Sequence, residues 1–326
     1  MSIVLYLLAA LLFVVIAWDA FLTILRATGP GPVTRLWSEP TWRCLLRIHR
    51  LRPVHRALSL AGPGFVLITI LLWYFGLSLS LYLAFVANSA SVVHSSSGAE
   101  ANWLQKIYYV SNTVSGVGYG DWVPSGFPWT VLAALGALST TIVLTVALSY
   151  VISVVSASLA RKNLAQQIFG LGMSVEEIIA RSGFAQEESS LKNHFLQVSS
   201  QITQHAHNHL AYPVLNYFHS LRAEESPARA ILLLSDVFFV LSAAPASQRP
   251  PEGISKLIDS GITQCIERVF SGIVSPETQH QDLTHLVESV RKLGGPVAGE
   301  EAFTRKLEEY RERRRKLEAL CEEDGW

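Results

Sequence analysis

Charge is scarce in this chain. Asp, Glu, Lys and Arg make up 16% of its 326 residues, whereas hydrophobic residues make up 50%, a balance that soluble domains rarely show. The two signs cancel, 26 basic against 26 acidic, so there is no global electrostatic case for nucleic acid as a partner. Cysteine is sparse too: Cys44, Cys265 and Cys321. The topology argued below puts all three on the reducing side, which argues against a structural disulfide. No GxGxxG follows a strand, which removes a dinucleotide-binding domain. No P-loop, metalloprotease helix or catalytic triad is present, so the residues do not point to an enzyme. A strand-rich cyclic-nucleotide roll and internal repeats are also missing.

What the chain has is three long apolar runs, at about 3–25, 64–88 and 129–157. Each is near or above the roughly 20 residues a helix needs to cross hydrocarbon. The first has no basic residue ahead of it and no small-x-small site after it, so it reads as an uncleaved helix with its N-terminus outside. Orientation follows from the short loops. Arg26, Arg35, Arg43, Arg47, Arg50, Arg52 and Arg56 crowd the first loop, whereas Lys106 is the one basic residue between the second and third runs. Arg161 and Lys162 follow the third. The Arg-rich loop and the C-terminal half are therefore expected in the cytoplasm, with 89–128 outside. Size and architecture point to a cell membrane, specifically a bacterial inner membrane.

The first loop, 26–63, contains TWRCLLRIHRLRPVHRAL, apolar residues interleaved with arginines. It reads either as an interfacial helix against anionic lipid or as plain obedience to the charge rule. After the polar outer stretch 89–101, residues 102–114 read as a short helix. Asn102 stands at its N-cap and Gln105 at the third helical position. Thirteen residues span only about 20 Å as a helix, too little to cross. A short helix followed by glycines between two spans is the pattern of a re-entrant loop.

Residues 161–326 carry 18 basic and 22 acidic residues and read as a soluble helical domain. Ser174 with Glu177 forms a capping box, and Gly183 offers a stop. A long amphipathic helix is expected over 186–210. Pro213, Pro227, Pro251 and Pro276 sit where helices can start, and the charged stretch 300–324 favours helix. The apolar segment 226–245 contains Asp236 and reads as a buried core helix rather than a fourth span.

Residues 113–121, Thr-Val-Ser-Gly-Val-Gly-Tyr-Gly-Asp, carry the chemistry. A dehydrated cation needs oxygen ligands in place of water. Backbone carbonyls supply them if successive residues turn their C=O groups to one axis, which an ordinary strand does not do. Glycine reaches backbone regions closed to other residues, so Gly116, Gly118 and Gly120, alternating with Val117 and Tyr119, permit it. Val117 and Tyr119 then turn outward, and Tyr119 is placed to pack on Tyr108 or Tyr109. The negative end of the short helix, near Val114, favours a cation beside it. One chain supplies one such loop, and a closed carbonyl ring needs four, which implies a homotetramer.

This segment resembles the selectivity filter of potassium channels, T-x-x-T-x-G-Y-G-D. Thr113, Gly118, Tyr119, Gly120 and Asp121 match, and Tyr108 and Tyr109 fall where the family carries an aromatic pair. The resemblance covers about 64–160: outer helix, pore helix, filter and inner helix. It implies an all-α membrane protein of three transmembrane helices with a re-entrant pore helix and filter, plus a cytoplasmic helical domain. The organisation expected is 1–63 (first helix and basic loop), 64–160 (pore domain) and 161–326 (cytoplasmic domain). The implied function is passive potassium conduction, with potassium the permeant ion, no cofactor, membrane lipids around the chain, and no partner or ligand identified for 161–326. Gly116 departs from the family, which usually has threonine there, and the lost hydroxyl keeps open a nonselective cation channel. A non-conducting membrane sensor is another reading. So is a pore-loop uptake transporter, although such chains carry four degenerate loops.

Several smaller signals accompany the motif. Asn112, behind the filter, is placed as a polar partner for Asp121. Thr140, Thr141, Leu144, Thr145 and Leu148 follow helical spacing and are candidates to line the cavity. Gly136 stands one turn before the family's hinge position and suits either a hinge or close helix packing. Asp19 lies within the first run, either paired structurally with Arg26 or a neighbouring helix, or serving gating. His205, His207 and His209 alternate on an expected helix. His205 and His209 share a face and are weak zinc candidates, against the plainer reading of surface or tertiary histidines. No span carries arginine at every third position, so there is no voltage-sensor pattern.

Overall fold

The computed structural model describes residues 2–26, 29–52, 54–182, 191–269, 283–296 and 299–326. Gly183, Pro276 and residues 186–190, named above, lie outside the described residues. The architecture is helical throughout: α1 (Ser2–Leu25), α2 (Pro32–Leu51), α3 (His55–Val86), α4 (Trp103–Ser115), α5 (Trp129–Phe169), α6 (Val175–Ser182), α7 (Lys192–Ala211), α8 (Pro227–Ala243), α9 (Glu252–Val269), α10 (Thr284–Lys292) and α11 (Glu300–Glu323). One small antiparallel ribbon joins β1 (Val92–His94) to β2 (Trp122–Pro124). No strand is expected there from the sequence.

Three helices, α1, α3 and α5, are long and apolar enough to cross a membrane, with mean hydropathies of 2.5, 2.0 and 2.2. Two run past the expected spans. α3 starts at His55, with Pro63 inside it, and α5 continues through Arg161 and Lys162 to Phe169. Hydropathy marks where a helix turns polar, not where its backbone hydrogen bonds stop.

The described residues form two compact units. The first comprises Met1–Thr41 and Pro63–Ser153. In it Ile16 and Ala20 of α1 pack with Trp73 and Leu77 of α3 and Ala147 of α5. A Cβ built on Gly136 would come within 2.7 Å of Leu81, so glycine here permits close approach of α5 to α3, one of the two roles expected of it.

The second unit comprises Trp42–Gly62 and Val154–Trp326. Residues 42–62 group with the C-terminal half rather than with the first helix, which departs from the division at 63 and 160. Trp42 is buried, its ring 5.5 Å from that of Tyr217, so this face of α2 meets protein rather than lipid. Arg47, Ile48 and Leu51 of the same helix stay exposed. The core of the unit is built from Leu164, Ile168, Phe195, Ile202, Leu234, Ile258, Leu286 and Leu317. α8 lies inside it, as expected for 226–245. Asp236 there accepts hydrogen bonds from the Tyr310 hydroxyl at 2.6 Å and Arg314 Nε at 3.0 Å, which satisfies a buried carboxylate. The three cysteines are free.

Candidate functional site

The short helix α4 is fixed at its start by the expected capping box. Asn102 Oδ1 accepts from the Gln105 amide at 3.0 Å, and Gln105 Oε1 accepts from the Asn102 amide at 2.7 Å. One face is buried: Tyr109, Val110 and Val114 join Leu81, Phe85 and Ala133, with the Tyr109 ring edge-on to Phe85 at 5.1 Å. Lys106 on this face is 2% exposed. Its ammonium donates to three carbonyls, Phe85 at 3.1 Å, Asn88 at 2.5 Å and Ser89 at 3.0 Å. These oxygens lie at and just beyond the end of α3, where helical carbonyls lack partners and a cation is favoured. Lys106 therefore ties the short helix to the outer one. In the sequence Lys106 stands out only as the one basic residue between the second and third apolar runs.

α4 ends at Gly116, whose φ is +75° and whose amide donates to the Thr113 carbonyl at 3.3 Å. Gly118 and Gly120 follow with φ of +61° and +79°. Among the described residues no residue other than glycine has a positive φ, so Val117 and Tyr119 do not. The backbone thus alternates in hand, residue by residue, over 116–120. Left-handed geometry costs about 1–2 kcal/mol for a residue with a Cβ, which explains glycine at alternate positions. No atom lies within 4 Å of a Cβ built on any of the three, so conformation rather than crowding selects them here.

Tyr119 stacks on Tyr108 at 6.4 Å with planes 4° apart, one of the two pairings expected. Thr113 Oγ1 donates to the Tyr109 carbonyl at 2.9 Å. Asp121 is held by its backbone, its carbonyl accepting from the Ser95 amide at 2.8 Å, immediately before β2 pairs with β1. Among the described residues, no hydrogen bond joins Asn112 to Asp121. The Asn112 carbonyl instead accepts from Ser115 Oγ at 3.3 Å.

On α5, Thr141, Thr145 and Leu148 are exposed and Leu144 is half-exposed. Thr140 is set apart from them: it is 2% exposed and donates to the Gly136 carbonyl at 3.0 Å. A side chain shut inside its own chain does not line an aqueous cavity. Thr145 Oγ1 donates to the Thr141 carbonyl at 2.8 Å and Ser149 Oγ to the Thr145 carbonyl at 3.3 Å. Thr141, Thr145 and Ser149 thus form one exposed hydroxyl row at helical spacing. The i, i+4 pattern contains Ser149, which is not among the residues expected to line the cavity.

Asp19 is fully buried and is not paired with Arg26. Its oxygens accept from the Val33 amide at 2.8 Å, the Thr34 amide at 3.1 Å, Thr34 Oγ1 at 2.6 Å and Trp73 Nε1 at 2.8 Å. It caps the start of α2 from a distance. His205 is buried and His209 partly exposed, their ring centroids 4.4 Å apart. Among the described residues no group of three or more His, Cys, Asp or Glu is arranged to hold a metal. Burial holds His205 well below the ordinary histidine value, with His209 and Arg161 adding to it. Burial, followed by Arg161, pushes His209 down to about 3.

Residues 67–157 match the family model described as ion channel. This stretch, from α3 through the short helix and its glycines to α5, is therefore similar to ion-channel domains, and the similarity points to transport. The chain is also 24% identical over 318 residues to "Uncharacterized membrane protein YdjJ" of Bacillus subtilis (strain 168), covering 96% of this chain and 92% of that protein. Both findings place the chain in a membrane. No solved structure matches it.

Proposed function

We propose that four copies of this chain form a potassium-conducting pore. The carbonyls of Gly116, Val117, Gly118, Tyr119 and Gly120 replace the ion's water. The observation that carries the reading is the alternation of positive φ at 116, 118 and 120, at the end of a helix capped at one end and tied to α3 by Lys106. Alternating hand turns successive carbonyls to the same side, as a row of ion sites needs. Thr113, Asn112, Asp121, Tyr108 and Tyr109 support the loop, and Thr141, Leu144, Thr145 and Leu148 line the cavity with Ser149. The exposed side chains of Val117 and Tyr119 are then covered by neighbouring copies. The chain sits in the cell membrane with its N-terminus outside and 161–326 in the cytoplasm.

One observation favours a second reading. Gly116 brings a carbonyl but no hydroxyl to the innermost site, which weakens potassium binding there and suits a nonselective cation channel. The test is the reversal potential of the purified protein in planar bilayers, potassium on one side and sodium on the other. A value near the potassium equilibrium potential supports potassium selectivity. A value near zero with sustained current selects the nonselective pore. Absence of current at every voltage and pH tried would sink both and turn attention to a membrane sensor.

A further inference from the structure

Three histidines distant in sequence meet in the second unit. His49 near the end of α2, His55 at the start of α3 and His219 between α7 and α8 have ring centroids 4.6, 5.7 and 5.1 Å apart, taken pairwise. They enclose residues 324–326. Trp326 stacks on His55 at 4.7 Å and on His219 at 5.3 Å, and the Arg229 guanidinium stands 5.7 Å from the indole centre. His219 Nδ1 is 2.5 Å from the Asp324 carbonyl, and His49 Nε2 is 3.2 Å from the Gly325 carbonyl.

These contacts fix the tautomers, because a carbonyl oxygen only accepts. His219 Nδ1 and His49 Nε2 must carry hydrogens and donate. His219 Nε2, 2.8 Å from His55 Nδ1, then accepts, and His55 Nδ1–H donates to it. His49 Nδ1 accepts from the Val54 amide at 3.1 Å. A proton can reach His49 only at Nδ1, where it would face the Val54 amide donor to donor, and His219 only at Nε2, where it would displace the His55 Nδ1 hydrogen and force His55 into its other tautomer. The cluster is closed with His49 and His219 neutral, and their protonation opposes it.

We propose that His49, His55 and His219 form a proton-operated latch, which holds residues 324–326 against the start of α3 at neutral pH and releases them on acidification. The surrounding charges are engaged elsewhere. The Asp324 carboxylate accepts from Arg161 at 2.7 Å and from Ser226 at 2.8 Å. Arg50 stands 3.8 Å from Glu322. Glu323, raised from its ordinary value by burial, faces Arg43 and Arg50.

The direction of the effect follows from burial, the largest influence holding both His49 and His219 below the ordinary histidine value. For His49 the charge of His55 acts the same way and the Gly325 carbonyl against it. For His219 the Asp324 carbonyl and carboxylate act against it. A histidine held neutral by the closed state favours closure above about pH 6.5. Below that, the open state takes up protons that the closed state refuses, and closure weakens as pH falls. α3 runs on into the stretch similar to ion-channel domains, so any effect on current rests on the conduction reading, whereas the latch itself does not.

The experiment is hydrogen–deuterium exchange of the full chain in lipid nanodiscs at about pH 7.5 and about pH 5.5, corrected for the intrinsic pH dependence of exchange. Protection of 42–62 and 318–326 should fall about tenfold or more at the lower pH, while α7 and α9 keep theirs. His219→Gln offers one amide donor and one acceptor without titrating, and should diminish the fall, with His49 left to account for the remainder. If His219→Gln lacks protection already at the higher pH, His49→Gln serves the same test. No fall, a fall shared by α7 and α9, or an undiminished fall in the folded variant would overturn the latch. A chain that conducts nothing still gives the exchange result.

Discussion

The indole nitrogen of Trp73 donates to the carboxylate of Asp19 across a distance of 2.8 Å. This contact helps join α1 to α3, and the same carboxylate holds the first amides of α2. A charge inside an apolar run is costly unless its lone pairs are filled, and here four donors fill them.

Removing the carboxylate should therefore be severe. Asp19→Ala strands the Val33 and Thr34 amides, the Thr34 hydroxyl and the Trp73 indole. Stranding buried donors costs about 1–3 kcal/mol for each group left unpaired. Trp73→Phe removes one donor to a charged group, for about 1.5–3 kcal/mol. Thermal unfolding of the detergent-solubilised protein should rank wild type above Trp73→Phe above Asp19→Ala. Equal midpoints for all three would show that the contact contributes nothing.

Lys106 is a second anchor, and its loss should be read in the pore. Lys106→Met keeps the apolar stem and leaves three carbonyls unpaired. At about 1–3 kcal/mol for each stranded group, partly relieved by water at the membrane surface, a net loss of about 2 kcal/mol is expected. The short helix α4 also gains freedom, so on the conduction reading the reversal potential should shift toward zero under potassium–sodium gradients. An unchanged reversal potential with a lowered unfolding midpoint would make Lys106 structural only.

The difference between what was legible and what was not is one of sequence distance. Asn102 and Gln105 announce their helix because a capping box is closed within one turn, and the three glycines announce their loop because backbone hand is a local property. Spans declare themselves by composition, yet α3 and α5 outrun their apolar stretches, because helical hydrogen bonding continues where hydropathy stops. Asp19 was legible as an anomaly but not as a cap, since the amides it serves lie 14 and 15 residues on. His55 and His219 are separated by 164 residues, and no periodicity or motif links them. The same limit hid the grouping of 42–62 with the C-terminal half, which depends on Trp42 meeting Tyr217.

Gly118 tests the backbone alternation directly. Its φ of +61° costs alanine about 1–2 kcal/mol in each chain, although the space for a methyl group is open in the single chain. Gly118→Ala should fold and insert, because the second unit is untouched, but conduct weakly or not at all as the loop shifts to relieve the strain. Single-channel recording beside a thermal melt separates the two outcomes. Normal conductance in Gly118→Ala would show that the left-handed glycine is dispensable.

His205 and His209 give the second unit a pH dependence distinct from that of the latch. Both are held neutral, His209 down to about 3, whereas an unfolded histidine titrates near about 6.5. Below that value the unfolded chain binds protons that the folded one refuses, so stability is full above it and falls with acidity. Each such group contributes up to about 1.4 kcal/mol per pH unit. Partial exposure of His209 reduces its share. His209 Nδ1 lies 2.8 Å from Asn216 Oδ1, and His209→Gln can keep a donor there without titrating. The unfolding midpoint of the variant should fall less between about pH 7 and about pH 5.5 than that of wild type. Parallel curves for the two proteins would place the acid sensitivity elsewhere, with the exchange behaviour of 42–62 and 318–326 then the first place to look.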